Sequence, residues 1–219
     1  MDIDRPHVRQ LTEPSEKDLQ RVLFILHETI SNDTVVKVYT GGSTAALSTY
    51  LRLLLDGCVD SGGLFVAWTS PDSREFDAVA LWSPPSKDWL PWEEEEFLSQ
   101  LRQEKKDWIT HHAISKYEEL YKSAFGAWGY NAGINNWQLK AIAVLQECRG
   151  RGLGKALMEV VHRKATASNH KVVVDCHSQI AVRFFHKLGF QHQSVKNFFS
   201  LTEPGFAMWC MVWEPGRKE

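Results

Sequence analysis

No stretch of this 219-residue sequence is apolar for long enough to cross a bilayer, and Met1-Asp2-Ile3-Asp4-Arg5-Pro6 lacks the hydrophobic segment of a signal or transit peptide. Cysteine is scarce and scattered. Cys58, Cys148, Cys176 and Cys210 form no CxxC pair, which argues against a disulfide frame or zinc site and suits reduced thiols in a core. The nine histidines include no HxxxH pair with an acidic third ligand, so no metal is expected. An excess of either charge is also lacking. Twenty-five Lys and Arg stand against 27 Asp and Glu, a net charge of -2, which removes the electrostatic reason to expect nucleic acid or an anionic membrane as partner. No repeat or low-complexity linker divides the chain. The expectation is one cytoplasmic domain over residues 1–219, as a monomer or homodimer.

What is present belongs to a folded domain: 43% hydrophobic and 24% charged residues, with nine Trp and eleven Phe. The pattern predicts a strand at His7 to Leu11 and, after Ser15, a helix carrying Leu19, Val22, Leu23 and Leu26. A second helix is expected from Thr44 to Leu55, stopped by Gly57. Strands at Leu64 to Thr69 and Phe76 to Trp82 flank the turn Ser70-Pro71-Asp72-Ser73 and read as a hairpin. From Trp92 to Phe125 the spacing predicts a long helix, opening on the acidic run Glu93 to Glu96, and an aromatic loop follows to Trp137. Then come a strand at Leu139 to Leu145, a glycine-rich turn, a helix from Leu153 to about Ala167, a strand at Lys171 to Cys176 and a helix at Ile180 to Leu188. Strands around Gln191 to Phe199 and Ala207 to Trp213 end an α+β pattern.

The turn Arg149-Gly150-Arg151-Gly152-Leu153-Gly154 carries the chemistry. A strand entering closely spaced glycines and then a helix leaves unpaired amides around Leu153, Gly154 and Lys155, at the end of the helix dipole that favours negative charge. Glycines at 150, 152 and 154 clear side chains from these donors, while Arg149 and Arg151 supply positive charge. Such a site suits a pyrophosphate. A P-loop would need glycine in place of Arg149 and Ser or Thr in place of Ala156, and G-x-G-x-x-G would need glycine at Lys155 or Leu157, so both fail.

Arg149, Gly152 and Gly154 fill the R-x-x-G-x-G/A signature of the GCN5-related N-acetyltransferase (GNAT) superfamily, and Ala141-Ile142-Ala143-Val144 resembles the strand that precedes it. Ala181-Val182-Arg183-Phe184-Phe185-His186-Lys187-Leu188-Gly189-Phe190 resembles the second motif of that family. Weaker similarity to puromycin N-acetyltransferase-like enzymes runs through Val66-Ala67-Trp68-Thr69-Ser70-Pro71, Ala80-Leu81-Trp82 and Trp209-Cys210-Met211. The resemblance implies a GNAT fold: a central mixed twisted sheet of about seven strands flanked by helices, with acetyl-CoA in the splay between two central parallel strands. It implies pairing of the pantetheine arm with the backbone of Ile142, Ala143 and Val144, and a small-molecule amine as acceptor.

Acetyl transfer requires a neutral amine, and neutralising a lysine-like ammonium near pH 7.4 costs roughly 4 kcal/mol. The expected course is direct attack through a tetrahedral intermediate. Asp175 and His177 alternate to one side of the strand after the glycine helix and are the candidate bases; a puromycin-type enzyme has a glutamate at what resembles the Asp175 position. Ser178 stands where the family often carries asparagine near the cofactor, and it is also placed to cap the next helix. Phe185 stands where many members carry the tyrosine that protonates the departing thiolate. Two alternatives stand beside the small-molecule enzyme: a protein N-terminal or lysine acetyltransferase and, because of Phe185, an acyl-CoA-binding protein with little turnover. His111, His112, Tyr117, Glu118 and Tyr121 are candidates for the acceptor pocket, and Phe125, Trp128, Tyr130 and Trp137 for its wall. Cys210, between Trp209 and Met211, reads as a buried hydrophobe and not a nucleophile.

Overall fold

Alternation of apolar residues along the strands and three-and-four spacing along the helices are realised in a computed structural model that describes residues 5–69, 75–87, 91–200 and 204–216. The expected turn Ser70-Pro71-Asp72-Ser73 and the first four residues lie outside the described residues. Strands β1 (His7–Gln10), β2 (Leu64–Trp68), β3 (Ala78–Ser83), β4 (Trp137–Val144), β5 (Val172–Cys176), β6 (Gln191–Phe198) and β7 (Phe206–Trp213) form one sheet in the order β1-β2-β3-β4-β5-β7-β6. Only β4 and β5 are parallel neighbours; the other pairs are antiparallel. This is the seven-stranded mixed sheet of the expected fold class.

The described helices are α1 (Glu16–Ile30), α2 (Thr34–Thr40), α3 (Thr44–Asp60), α4 (Glu95–Ser99), α5 (Gln103–Trp108), α6 (Ile114–Phe125), α7 (Gly129–Ile134), α8 (Leu153–Ser168) and α9 (Gln179–His186). Helix α1 starts in a capping box, Ser15 accepting from the Asp18 amide while the Asp18 carboxylate accepts from the Ser15 amide. Helix α8 buries Leu153, Leu157, Val161 and Ala165 along one stripe. Every residue of β3 is buried, so that strand is covered on both faces. Among the described residues no helix is long and apolar enough to cross a membrane.

Two expectations are corrected, and one helix is added. Gly57 does not stop the second helix: α3 runs on to Asp60 and ends at Ser61, because buried Leu54, Leu55 and Cys58 around the glycine outweigh its propensity cost of about 1 kcal/mol. Residues 92–125 are not one helix but a turn at Pro91–Glu93, α4, α5, a π-turn at Ile109–Ala113 and α6. A straight helix would hold Phe97 and Leu120 roughly 35 Å apart; the broken path gathers both in one cluster with Trp108, Ile109, Tyr39 and Val38. The pattern gave no helix at α2, where Asp33 caps the amides of Val35 and Val36.

Two features at the centre of the sheet position the site. Leu81 pairs with Ala141 and Trp82 with Leu139, so Lys140 has no counterpart on β3 and forms a β-bulge. The parallel ladder of β4 and β5 ends at the adjacent pair, Leu139 with Val174. Beyond it the two strands separate, β4 still paired to β3 as far as Val144 and β5 to β7 as far as Cys176.

At the start of β2, Gly63 lies so close to Trp82 that a Cβ would stand 1.7 Å from that residue's carbonyl oxygen, while the Trp82 amide donates to the Gly63 carbonyl at 2.9 Å. Backbone cannot yield there as a side chain does. Gly63→Ala is expected to lower urea-unfolding stability by at least about 2 kcal/mol, with an unchanged far-ultraviolet spectrum in the remaining native protein.

Candidate active site

The separation of β4 from β5 leaves the β4 edge from Lys140 to Val144 without a strand partner on that side, and a cavity of about 1350 Å³ opens along it. That volume exceeds the ~1,000 Å³ typical of a single small-ligand pocket and has room for two bound molecules. Its wall runs from the glycine turn, past Ile142, Ala143 and Val144, to a set of aromatic side chains beyond Asp175.

At the glycine end, Gly152 adopts a left-handed φ of 83° and gives α8 no side-chain cap. The first helical hydrogen bond runs from the Ala156 amide to the Gly152 carbonyl at 2.9 Å, so the amides of Leu153, Gly154 and Lys155 precede it. Gly154 is a glycine for a different reason: a Cβ there would point at Phe184 Cζ, 3.4 Å away, and narrow the space between the α8 start, Phe184 and Val144. Arg149 Nε donates to the Val144 carbonyl at 3.1 Å, placing the guanidinium beside the loop. Of the sequence-derived cofactor residues, Ile142, Ala143, Val144, Arg149, Gly150, Gly152, Leu153, Gly154, Lys155, Ser178 and Phe185 line the cavity. Arg151 does not; its guanidinium donates to the Glu147 carbonyl at 3.2 Å.

At the other end, strand periodicity sets Asp175. Val172, Val174 and Cys176 join the core shared with α8, whereas Val173 joins the cluster under α6, and Asp175 follows it two residues on. Asp175 and Lys140 are thus the first residues past the last β4–β5 pair, one on each strand at the apex of the gap. Asp175 Oδ2 accepts from the Tyr121 hydroxyl at 2.7 Å, and Oδ1 is buried without a nitrogen or oxygen partner. Burial raises this carboxyl to about 6, against the lowering pull of the Tyr121 hydrogen bond, the Lys140 charge and the Cys210 thiol, which sits opposite it on β7. A carboxyl near 6 is poised to accept a proton at neutral pH.

His177 also lines the cavity, but its Nε2 is engaged with Asp33 Oδ2 at 2.6 Å. Burial raises the Asp33 carboxyl, yet hydrogen bonds from His177 and the amides of Val36 and Val35 outweigh it and hold the group below its usual range. The pair fastens α2 to the end of β5. Sequence reasoning missed Asp33, although Asn32-Asp33-Thr34 before an apolar run is a capping signal. Ser178 caps α9 by accepting from the Ala181 amide at 3.2 Å. Phe185 is buried against Phe184 and Phe190 and carries no proton to donate.

The acceptor-pocket candidates divide. Tyr117 and Tyr121, one turn apart on α6, line the cavity. His111, His112 and Glu118 do not: His111 and Glu118 are exposed, and His112 accepts from the Phe199 amide at 3.2 Å and packs on Trp108. The aromatic segment from Phe125 supplies no wall among its described side chains: Trp128 is 76% exposed, Phe125 packs on Tyr121, and Trp137 is in the core; the Tyr130 side chain lies outside the described residues. The wall comes instead from Tyr39 on α2, from Trp92, and from Phe206 and Met208 on β7. Burial and the neighbouring Asp175 push the Cys210 thiol well above its ordinary range, which leaves it no nucleophilic thiolate.

Residues 111–192, from α6 through the start of β6, match the family model described as an acetyltransferase (GNAT) domain. No curated protein gives a significant sequence match. Solved structures do resemble the chain. A histone acetyltransferase HPA2 and related acetyltransferase from Corynebacterium glutamicum is 19% identical with a TM-score of 0.64, covering 98% of both chains. Arylalkylamine N-acetyltransferase 2 from Aedes aegypti is 17% identical with a TM-score of 0.66, covering 95% of this chain and 98% of its own. A polyamine N-acetyltransferase from Drosophila melanogaster, which forms N-acetylagmatine, is 18% identical with a TM-score of 0.58, covering 95% of this chain and 99% of its own. At such identity these likenesses speak to the fold, which is the GNAT fold, and the segment that matches the acetyltransferase (GNAT) domain model includes the strand, glycine turn and helix that build the cavity.

Proposed function

We propose that the protein is an acetyl-CoA-dependent N-acetyltransferase acting on the primary amine of a small molecule. The observation that carries this reading is a single cavity that joins a bare strand edge, an uncapped helix start and a buried carboxylate whose Oδ1 has no nitrogen or oxygen partner. The residues fit the cofactor: the amides of Leu153, Gly154 and Lys155 with Arg149 suit its pyrophosphate, and the backbone of Ile142, Ala143 and Val144 suits its amide-bearing pantetheine arm. When bound, acetyl-CoA supplies the acetyl group as a thioester.

Asp175 takes the proton from the acceptor amine on Oδ1, while Tyr121 fixes Oδ2 and thereby the plane of the carboxyl. The same dry surroundings that raise the carboxyl also disfavour an ammonium, which narrows the gap the proton must cross. His177 acts through position, holding α2 with Tyr39 against the cavity by its bond to Asp33. Phe185 supplies no general acid, and a thiol of pKa about 8.5 leaves acceptably without one. The wall of Tyr39, Trp92, Tyr117 and Phe206 over the acceptor end favours a small molecule over a protein tail, in keeping with the puromycin-type resemblance.

Gly154→Asp is expected to abolish acetyl-CoA binding in calorimetry, with a melting temperature near that of the parent protein. The atoms nearest the new Cβ are side-chain carbons of Phe184 and Val144, at 3.4 to 3.9 Å, and an acid in the first turn of α8 suits the helix dipole while repelling phosphate. Unchanged binding overturns the cofactor assignment. Asp175→Asn is expected to lower turnover at pH 7 by roughly 10²-fold or more and by much less at pH 10, where free amine is abundant. The same change raises stability. Because the carboxyl stands at about 6 in the folded chain against an ordinary 3.8, its contribution is fully present below pH 3.8 and lost as pH rises through 6. The Asn variant should therefore exceed the parent by up to about 3 kcal/mol above pH 7 and match it near pH 4, read from urea unfolding at the two pH values.

A further inference from the structure

Building on the acetyltransferase reading of this cavity, we propose that the acceptor is a monoamine bearing an aromatic ring, and that Lys140 excludes amines carrying a second positive charge. The acceptor end is walled by Tyr39, Trp92, Tyr117, Tyr121, Phe206 and Met208. These rings brace one another: Trp92 stacks on Tyr39 at 5.2 Å and on Tyr117 at 5.3 Å, Trp108 meets Tyr39 edge-on at 5.5 Å, and Phe198 meets Tyr117 edge-on at 5.2 Å. A wall of rings braced against one another offers a flat apolar group a contact surface with little ordering cost to the protein.

The charges point the same way. Among the described residues the acidic side chains lining the cavity are Asp33 and Asp175. Asp33 is saturated by His177 and two backbone amides, so Asp175 is left to meet an amine. Lys140 faces it across the gap, close enough for its charge to act on the carboxyl, and donates to Gln138 Oε1 at 2.7 Å. Among the described residues this carboxylate and this lysine are the charged side chains at the apex of the gap. A second ammonium or guanidinium on the acceptor would meet the aromatic wall beside a like charge, with no further carboxylate among the described lining residues.

The test measures thiol release by the full-length chain at saturating acetyl-CoA with 2-phenylethylamine, hexylamine and agmatine. The expected kcat/KM for 2-phenylethylamine is at least tenfold that for hexylamine and at least a hundredfold that for agmatine. Lys140→Met should narrow the agmatine gap tenfold or more, and Tyr117→Leu should erase the preference over hexylamine. Agmatine or hexylamine turning over as well as 2-phenylethylamine overturns this inference and leaves the acetyltransferase reading standing. No thiol release above background with any amine overturns that reading itself. An unchanged agmatine gap in Lys140→Met removes Lys140 as the discriminator.

Discussion

The parting of β4 from β5 after Leu139 and Val174 is the constraint on which the rest depends. Backbone amides and carbonyls inside a sheet buried on both faces are costly to leave unpaired, and a sheet that stops pairing at its centre must meet that demand another way. The bulge at Lys140 gives the separation a local cause, since the extra residue bends β4 while its ladder to β3 continues to Val144. β5 keeps its own outer neighbour to the end through Cys176 and Trp209. Among the described residues the sheet is thus opened between β4 and β5, and the proposed cofactor, whose pantetheine arm bears amides, would complete what the strands leave unmade.

Everything polar in the site is arranged around that line. The start of α8 lies beside the far end of the β4 edge, Lys140 and Asp175 face each other at the apex, and the aromatic wall closes the side under α6. Asp175 is held in tension with the stability of the fold. Burial makes its ionised form costly, and the hydrogen bond from Tyr121 returns only part of that cost, so the carboxyl settles near 6. A better-solvated acid would stabilise the protein at neutral pH and be a poorer base.

The legible parts of the molecule were those written in short sequence windows. The glycine turn, the α8 stripe and the alternation that sends Asp175 away from Val174 each depend on a few neighbouring residues and on the periods of helix and strand. The acceptor wall does not. Tyr39, Trp92, Tyr117 and Phe206 come from four separate stretches, and nothing in their local spacing shows that Trp92 stacks on both tyrosines. The adjacent histidines at 111 and 112 drew notice as chemistry, yet the π-turn that holds them sets them away from the cavity, while Tyr117 and Tyr121 one and two turns later face it. Trp128 illustrates the converse: a large aromatic in an aromatic-rich segment stands 76% exposed because α7 folds back on α6 without covering it.

Phe185 shows how a motif can persist while one of its chemical parts is missing. In α9 the ring is buried against the rings of Phe184 and Phe190 where it lines the cavity. A hydroxyl added at its tip would need either a partner in that core or a path to the cavity, because an unpartnered buried hydroxyl costs roughly 1–3 kcal/mol. Phe184, half-buried and touching the space above Gly154, brings a second carbon surface to the same place. The cavity is therefore apolar on the α9 side and polar on the Asp175 side. On the proposed acetyltransferase reading, that asymmetry would give proton removal to the protein and leave protonation of the departing thiolate to solvent.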